Sequence, residues 1–313
     1  MRENKHKPVK VTGHFYQLGT TSFPVYLSMG ENAIIIEGGT GATSAIIIDQ
    51  IRDLGIDPKC IKYVVLTHTH ADHIGAIPHL QKLWPHLKVA ASPLAMKLLS
   101  QERIVKDFVS VDRSISEIML SKGEINSHPT VLDKYIFQVD QVLEEGDQID
   151  LGDSIIWTVH DTPGHSSCHI SLFEEKEHTL MVGDATGFYV PEQGVFWPNY
   201  FESLEAYCKS IRKLTSLPAR RGALCHNGVV EGGLKEYFSR AIQSTKAYHR
   251  EMLQRLSVGE DAAGIAIEKA RWVNTLTDIQ TLEVMRRLAR VLISRSQHEA
   301  EQEERITVPR HIK

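Results

Sequence analysis

Three features of the chain predict an α/β fold. An apolar run, Tyr63-Val64-Val65-Leu66, reads as a buried strand, breaks into a polar turn and gives way at Ile74-Gly75-Ala76-Ile77-Pro78 to a helix start. Upstream, residues 11–48 alternate short β-type runs with glycine turns. After Gly233 the apolar spacing changes to threes and fours, the period of an amphipathic helix, so a helical extension closes the chain.

In order, Phe23-Pro24-Val25-Tyr26-Leu27 and Asn32-Ala33-Ile34-Ile35-Ile36-Glu37 read as strands, and Gly38-Gly39-Thr40-Gly41 as a turn. That turn lacks the Gly-Lys-Ser/Thr ending of a phosphate loop. Ala45-Ile46-Ile47-Ile48 continues the series of β-type runs, and residues 50–58 are helical or turn-like. Residues 78–83 carry a helix and Lys88-Val89-Ala90-Ala91-Ser92 a strand. Ser92-Pro93 supplies a helix cap and a first-turn proline. From there to Lys122, Leu94, Leu98, Val105, Phe108, Ile115 and Met119 keep helical spacing. This stretch reads either as an insertion walling the substrate cleft or as extra core.

Glu144-Glu145-Gly146-Asp147 reads as a hairpin turn, and Ile155-Ile156-Trp157-Thr158-Val159 as a strand leading to His160. Asp161-Thr162-Pro163-Gly164 forms a rigid turn that presents His165. Residues 167–173 read as the next strand, within which His169 is a satisfied sheet residue, and residues 178–183 run into Asp184. Residues 187–200 form a loop rich in aromatics, of which Tyr189 is a candidate donor to a substrate carbonyl. Residues 204–214 are an amphipathic helix, and Gly222-Ala223-Leu224-Cys225 is the strand before His226. Leu234, Phe238, Ile242, Tyr248, Met252 and Leu256 mark one long helix, residues 262–270 a second, and Leu276, Ile279, Leu282, Met285, Leu288 and Leu292 a third. The charged end from Gln297 is expected to fray. The expected division is a main domain over 1–232, with its helical insertion at about 93–122, and a helical extension over 233–313.

The densest chemistry lies in Thr67-His68-Thr69-His70-Ala71-Asp72-His73, directly after the buried strand. Imidazole nitrogen and carboxylate oxygen are donors that divalent transition metals prefer. So many donors in one short loop crowd a single tetrahedral ion. They suit two ions, with His68 and His70 facing one and Asp72 and His73 the other.

The pattern His-x-His-x-Asp-His resembles the metallo-β-lactamase-fold hydrolases. The resemblance implies an αββα sandwich and three later ligands, and the chain supplies them in order: His165 in Pro163-Gly164-His165-Ser166, Asp184 in Val182-Gly183-Asp184-Ala185, and His226 in Cys225-His226-Asn227. The family often has Gly-His-Gly at the last position, and this chain departs from that. The implied assignment gives one ion His68, His70 and His165, and the other Asp72, His73 and His226, with Asp184 shared. Zinc is the expected metal, with iron and manganese as alternatives. Asp72 and Asp184 are the candidate catalytic residues, relaying a proton to the leaving group. The resemblance also places an acidic residue, here Glu37, beneath a ligating histidine, and a plain solvated turn carboxylate is the other reading of that residue.

Secondary motifs, Gly183-Asp184-Ala185-Thr186-Gly187 and Glu205-Ala206-Tyr207, are similar to those of the alkylquinolone-pathway thioesterase branch of this fold, with glyoxalase II and homoserine lactonases as relatives. The implied reaction is cleavage of a thioester or related ester of a small acyl substrate. A homoserine-lactone lactonase is the alternative, although Gly187 stands where those enzymes carry a tyrosine. A regulatory or binding protein that keeps the metal site is a further alternative. A flavin-linked di-iron reductase would have Glu in place of the second His and a flavodoxin domain, and the sequence shows neither.

The net charge of −4 gives no electrostatic footprint for nucleic acid. No apolar run reaches membrane-spanning length. Residues 1–10 are charged and lack a secretory core, so a cytoplasmic location is expected, which weighs against an exported antibiotic-degrading enzyme. Cys60, Cys168, Cys208 and Cys225 form no C-x-x-C pair, so each reads as a buried thiol, with Cys225 a candidate support for the adjacent ligand. The C-terminal helices are expected either to cap the active site or to form a homodimer contact.

Overall fold

The structure is a computed structural model that describes residues 6–307. The chain divides into two compact units. The first comprises Met1–Asp161, Cys168–Asp184 and Leu217–Leu234, and the second Thr162–Ser167, Ala185–Ser216 and Lys235–Lys313.

The first unit is built on two sheets. One has the order β1 (Val9–Lys10), β2 (Phe15–Gly19), β3 (Pro24–Met29), β4 (Ala33–Ile36), β5 (Ile61–Val65), β6 (Lys88–Ala91) and β7 (Gln141–Val142). It is antiparallel through β4 and parallel from there on. Its parallel part needs crossovers, supplied by helices α1 (Ser44–Asp53), α2 (Ile77–Leu83), α3 (Pro93–Leu99) and α4 (Glu102–Ser121). The remaining strands are β8 (Gln148–Asp150), β9 (Ile156–Asp161), β10 (Ile170–Glu174) and β11 (Thr179–Gly183), the separate pair β12 (Phe188–Val190) and β13 (Val195–Trp197), then β14 (Arg221–Leu224) and β15 (Val229–Glu231). The second sheet of the unit runs β15-β14-β11-β10-β9-β8.

Strand alternation sorts the core into two layers. Ile34 and Ile36 of β4, with Phe15 and Tyr26, meet Trp157, Val159, Ile170, Leu172 and Met181 of the other sheet. Ile35, Leu27, Val64 and Leu66 point the other way, onto Ile47 and Ile51 of α1 and Ile77 and Leu80 of α2. A strand buried on both faces reads as a continuous apolar run, which is why β4 and β5 were conspicuous in the sequence. The α/β class is therefore as expected.

Several local expectations need correcting. Ala45-Ile46-Ile47-Ile48 is helical. Thr40 and Thr43 form a reciprocal capping box, and Ile46, Ile47, Gln50 and Ile51 then bury one face, so packing overrides the β preference of isoleucine. Residues 144–147 do not close a hairpin: β7 pairs with β6 and β8 with β9, so this turn carries the chain from one sheet to the other. Residues 167–169 precede β10 rather than lying in it. The helical stretch from Pro93 breaks at Ser100 and Gln101, and its Ser92 cap accepts from the Ala95 N–H at 3.2 Å.

The second unit contains the β12–β13 hairpin, α5 (Leu204–Thr215), α6 (Leu234–Ser257, from its second residue on), α7 (Ala262–Leu276) and α8 (Leu282–Thr307). Leu276 ends α7 rather than opening the third helix, and the charged end continues as helix to Thr307, with 308–313 outside the described residues. Lys269 joins α7 to α6: its Nζ lies 2.6 Å from Glu251 and over the rings of Tyr248 and Trp272. Among the described residues, no helix is long and apolar enough to cross a membrane.

Candidate metal centre

The loop after β5 is pinned from both sides. Gly38 donates its N–H to the His73 carbonyl at 2.7 Å, and Gly75 donates to the Gly39 carbonyl at 2.7 Å. A Cβ on Gly75 would lie 2.5 Å from the Gly41 nitrogen and 2.3 Å from Asp112 Oδ1, so only glycine fits. This leaves Ala71–His73 as one tight 3-10 turn, which turns Asp72 and His73 toward the same place.

Glu37 is the fixed point beneath that loop. It is fully buried and holds φ at 77°, a left-handed backbone that costs a non-glycine residue about 1–3 kcal/mol. One carboxylate oxygen accepts the Thr67 N–H at 3.3 Å, and the other lies 2.9 Å from His73 Nδ1. A carboxylate only accepts, so His73 Nδ1 carries the proton and Nε2 is left as the lone-pair face. Of the two readings of Glu37, support for a ligating ring or an ordinary turn residue, the contacts favour the first.

The other rings follow the same rule. His68 Nδ1 lies 3.0 Å from the Thr67 hydroxyl, and His68 Nε2 lies 3.0 Å from His70 Nδ1. His226 Nδ1 donates to the Ser22 carbonyl at 2.7 Å. Its strand end is held by Tyr26, whose hydroxyl lies 2.7 Å from the Leu224 carbonyl and 2.9 Å from that of Gly228. With Nδ1 of His68, His73 and His226 each occupied by an oxygen, Nε2 is the atom those three rings offer, as in metal sites whose ligands are oriented from behind.

These faces converge on Asp184. Its Oδ2 lies 3.9 Å from His68 Nε2, 3.5 Å from His73 Nε2 and 3.8 Å from His226 Nε2. Asp72 flanks them, with one oxygen 3.5 Å from His73 Nε2 and the other 3.6 Å from His226 Nε2. His68, His73 and Asp184 form one group able to hold a metal ion, and Asp72, His73 and His226 another. Asp184 reaches this focus because the register of β11 shifts between Met181 and Gly183. Its N–H then donates to His169 Nε2 at 3.0 Å. His169 is buried and its pKa is lowered to about 3 by that burial, so the ring is neutral and serves as acceptor.

His165 belongs to the second unit. There it is buried, with Nδ1 3.0 Å from the Asn199 carbonyl and its ring against Phe201. The aromatic stretch of that unit packs largely on itself: Tyr189 lies 4.5 Å from Phe196 and 5.1 Å from Tyr237, ring centre to ring centre.

The electrostatics suit a cation. Burial opposes charge on His73, but Asp72, Glu37 and Asp184 outweigh it and lift the ring to about 10. Burial lowers His70 to about 4. Burial raises Asp184, partly offset by His226 and His73, whereas for Asp72 the neighbouring rings outweigh burial and hold it low. A proton on His73 thus stands where positive charge is wanted. His73 Nε2 is nevertheless buried with no hydrogen-bond partner among the described residues, facing two carboxylate oxygens. A buried polar atom in that state calls for an ion. The nitrogen and oxygen donors fit a divalent transition metal.

From sequence alone His169 reads as a sheet residue, and neither Thr67 nor Asp112 stands out as part of the site. Asp112 on α4 accepts the Gly41 N–H at 2.8 Å, and its carboxyl is raised to about 7 by burial first and by Asp72 second. A carboxyl raised in the folded state contributes stability that is fully present below its ordinary value of 3.8 and lost as pH rises through about 7. Asp112→Asn cannot ionise. Its stability relative to wild type is therefore expected to rise between pH 4 and pH 8, by roughly 2–4 kcal/mol at about 1.36 kcal/mol per unit. Thermal melts of metal-free protein across that range would check this, and a gap that does not change with pH would contradict it.

Comparison with known proteins follows the same lines. The family model described as "Metallo-beta-lactamase superfamily" matches residues 24–226. The chain is 26% identical over 267 residues to the "Metallo-beta-lactamase fold-containing protein ST1585" of Sulfurisphaera tokodaii, covering 82% of this chain and 91% of that protein. It is 23% identical over 266 residues to the "Atrochrysone carboxyl ACP thioesterase" of Aspergillus terreus, covering 82% of this chain and 67% of that one. Among solved structures, the archaeal superfamily protein ST1585 from Sulfolobus tokodaii superposes with a TM-score of 0.57 at 19% identity, over 91% of this chain and 98% of that one, a likeness of fold. A ligand loop after a parallel strand, a carboxylate at the focus of three imidazoles and a family match running from β3 to His226 have one common reading: this chain belongs to the metallo-beta-lactamase superfamily.

Proposed function

We propose that this chain is a dinuclear-metal hydrolase that cleaves a thioester, or a related ester, of a small acyl substrate. The observation that carries the reading is Asp184 Oδ2, placed within 3.9 Å of three imidazole Nε2 atoms, as a carboxylate shared between two ions would be. The ligand sets are those of the sequence analysis: His68, His70 and His165 for one ion, Asp72, His73 and His226 for the other, and Asp184 for both. Zinc fits these donors, with iron and manganese as alternatives. Divalent ions held there supply Lewis acidity, polarising a carbonyl and bringing the pKa of water close to neutral.

The chain's own groups do the rest. Glu37 and the Thr67 hydroxyl fix the rings of His73 and His68, so the donor faces need little reorganisation. Asp72 and Asp184 are the groups placed to take a proton and pass it to the leaving atom. A departing thiolate needs little such help, which favours a thioester. The thioesterase name of the Aspergillus terreus relative supports the same bond type.

The lactonase alternative meets a steric obstacle. Gly187 has φ +75°, and a Cβ there would lie 2.5 Å from the Trp197 carbonyl and 2.8 Å from the Tyr207 hydroxyl, so the position leaves no room for the lactonases' tyrosine.

Purified protein should be analysed for metal and assayed on acyl-CoA thioesters and homoserine lactones, with and without chelator. We expect metal-dependent turnover of thioesters ahead of lactones, abolished by chelation and restored by zinc. Preferential lactone opening would support the alternative, and a fully metallated protein inert on both would support a binding role.

A further inference from the structure

Cys225 occupies a position that no ligand assignment uses. It is 1% exposed, immediately before His226 and directly after β14. Its Sγ lies 3.9 Å from the Thr67 hydroxyl. Donor atoms of Glu37, His73 and Cys225 all lie within 4.8 Å of one another, and all three residues are buried. A sulfur in that place has Thr67 on one side and the Glu37 carboxylate on the other. Those two neighbours hold the outer nitrogens of two different candidate ligands, His68 and His73.

We propose that the Cys225 thiol is a positioning residue that closes a buried hydrogen-bond chain across the backs of His68 and His73. The chain is consistent in its protons. His68 must offer Nε2 forward, so its Nδ1–H donates to the Thr67 oxygen. The Thr67 hydroxyl, its lone pair used, donates onward to Cys225 sulfur. The Cys225 S–H donates to the Glu37 carboxylate, which also receives the Nδ1–H of His73. Every donor has one acceptor, and the chain ends on the one group that can only accept. The two rings belong to different ions in the ligand sets above, so the thiol couples the orientation of one half of the centre to the other. A glycine at this position, common in the family, would leave that link open.

The inference rests on the two-metal reading of the site, and its test reads metal retention rather than turnover. Zinc-loaded wild type, Cys225→Ala and Cys225→Ser would be titrated against a chromogenic chelator, and the melting of each metal-free form measured alongside. Support of this kind is worth about 10–100-fold in metal affinity. We expect Cys225→Ala to release zinc at about 10–100-fold lower chelator activity. Cys225→Ser keeps an O–H donor beside Glu37 and should recover most of that loss. Wild-type retention in Cys225→Ala, or a Cys225→Ser variant as weak as Cys225→Ala, overturns the proposal. If wild type itself retains no zinc, it is the two-metal reading that fails. Should Cys225→Ala not fold, Thr67→Val against Thr67→Ser tests the same chain one link earlier, with the same expected loss and rescue.

Discussion

Replacing Asp184 with alanine is expected to strip the centre of metal and lower turnover on the order of a thousandfold, the rate equivalent of losing several kcal/mol of Lewis-acid stabilisation. The size of the effect follows from where Asp184 stands. Its Oδ2 lies within 3.9 Å of three converging Nε2 atoms. In the proposed two-metal centre, removing it would leave those faces without their shared counter-charge and let the two dications repel each other. The carboxylate is also buried, so water cannot take its place cheaply. Metal analysis and kinetics on Asp184→Ala, with Asp184→Asn to preserve shape, would check this. A variant with wild-type metal and rate would remove Asp184 from the centre.

Trp157→Ala is expected to have the largest effect on stability, about 3–5 kcal/mol. Trp157 is fully buried between the two sheets of the first unit, 5.4 Å from the ring of Phe15, with Nε1 donating to the Ser28 hydroxyl at 2.9 Å. Truncation leaves a cavity in that layer and leaves Ser28 short of a partner. Melting of the metal-free variant should fall by roughly 10 °C. A shift of a degree or two would mean the sheets close over the gap.

The outline of this molecule is legible in the sequence because its central strands carry unbroken buried apolar runs. Ile34-Ile35-Ile36 and Val64-Val65-Leu66 have no polar alternation to confuse them with surface. The ligand loop was legible for a local reason: donors packed into one turn directly after such a strand. Ala45 to Ile48 reads as β-type because the capped 3-10 turn that leads into its helix, closed by Thr40 and Thr43, lies outside the apolar run itself. What lies behind the ligands was harder to read. Asp112 meets Gly41 across 71 positions and Cys225 meets Thr67 across 158, and no local pattern encodes either contact. Glu37 reads as a support only through the family resemblance. His169 reads as a structural residue, and its structural partner is the backbone of Asp184.

That last bond bears on how the protein meets acid. An imidazole that would protonate only near pH 3 keeps its lone pair through the mildly acidic range, so the main chain carrying Asp184 stays anchored there. This anchor therefore does not titrate between neutrality and pH 5, and a fading of activity there that comes from protons competing with cations for the ligands should move to lower pH when the concentration of free metal is raised.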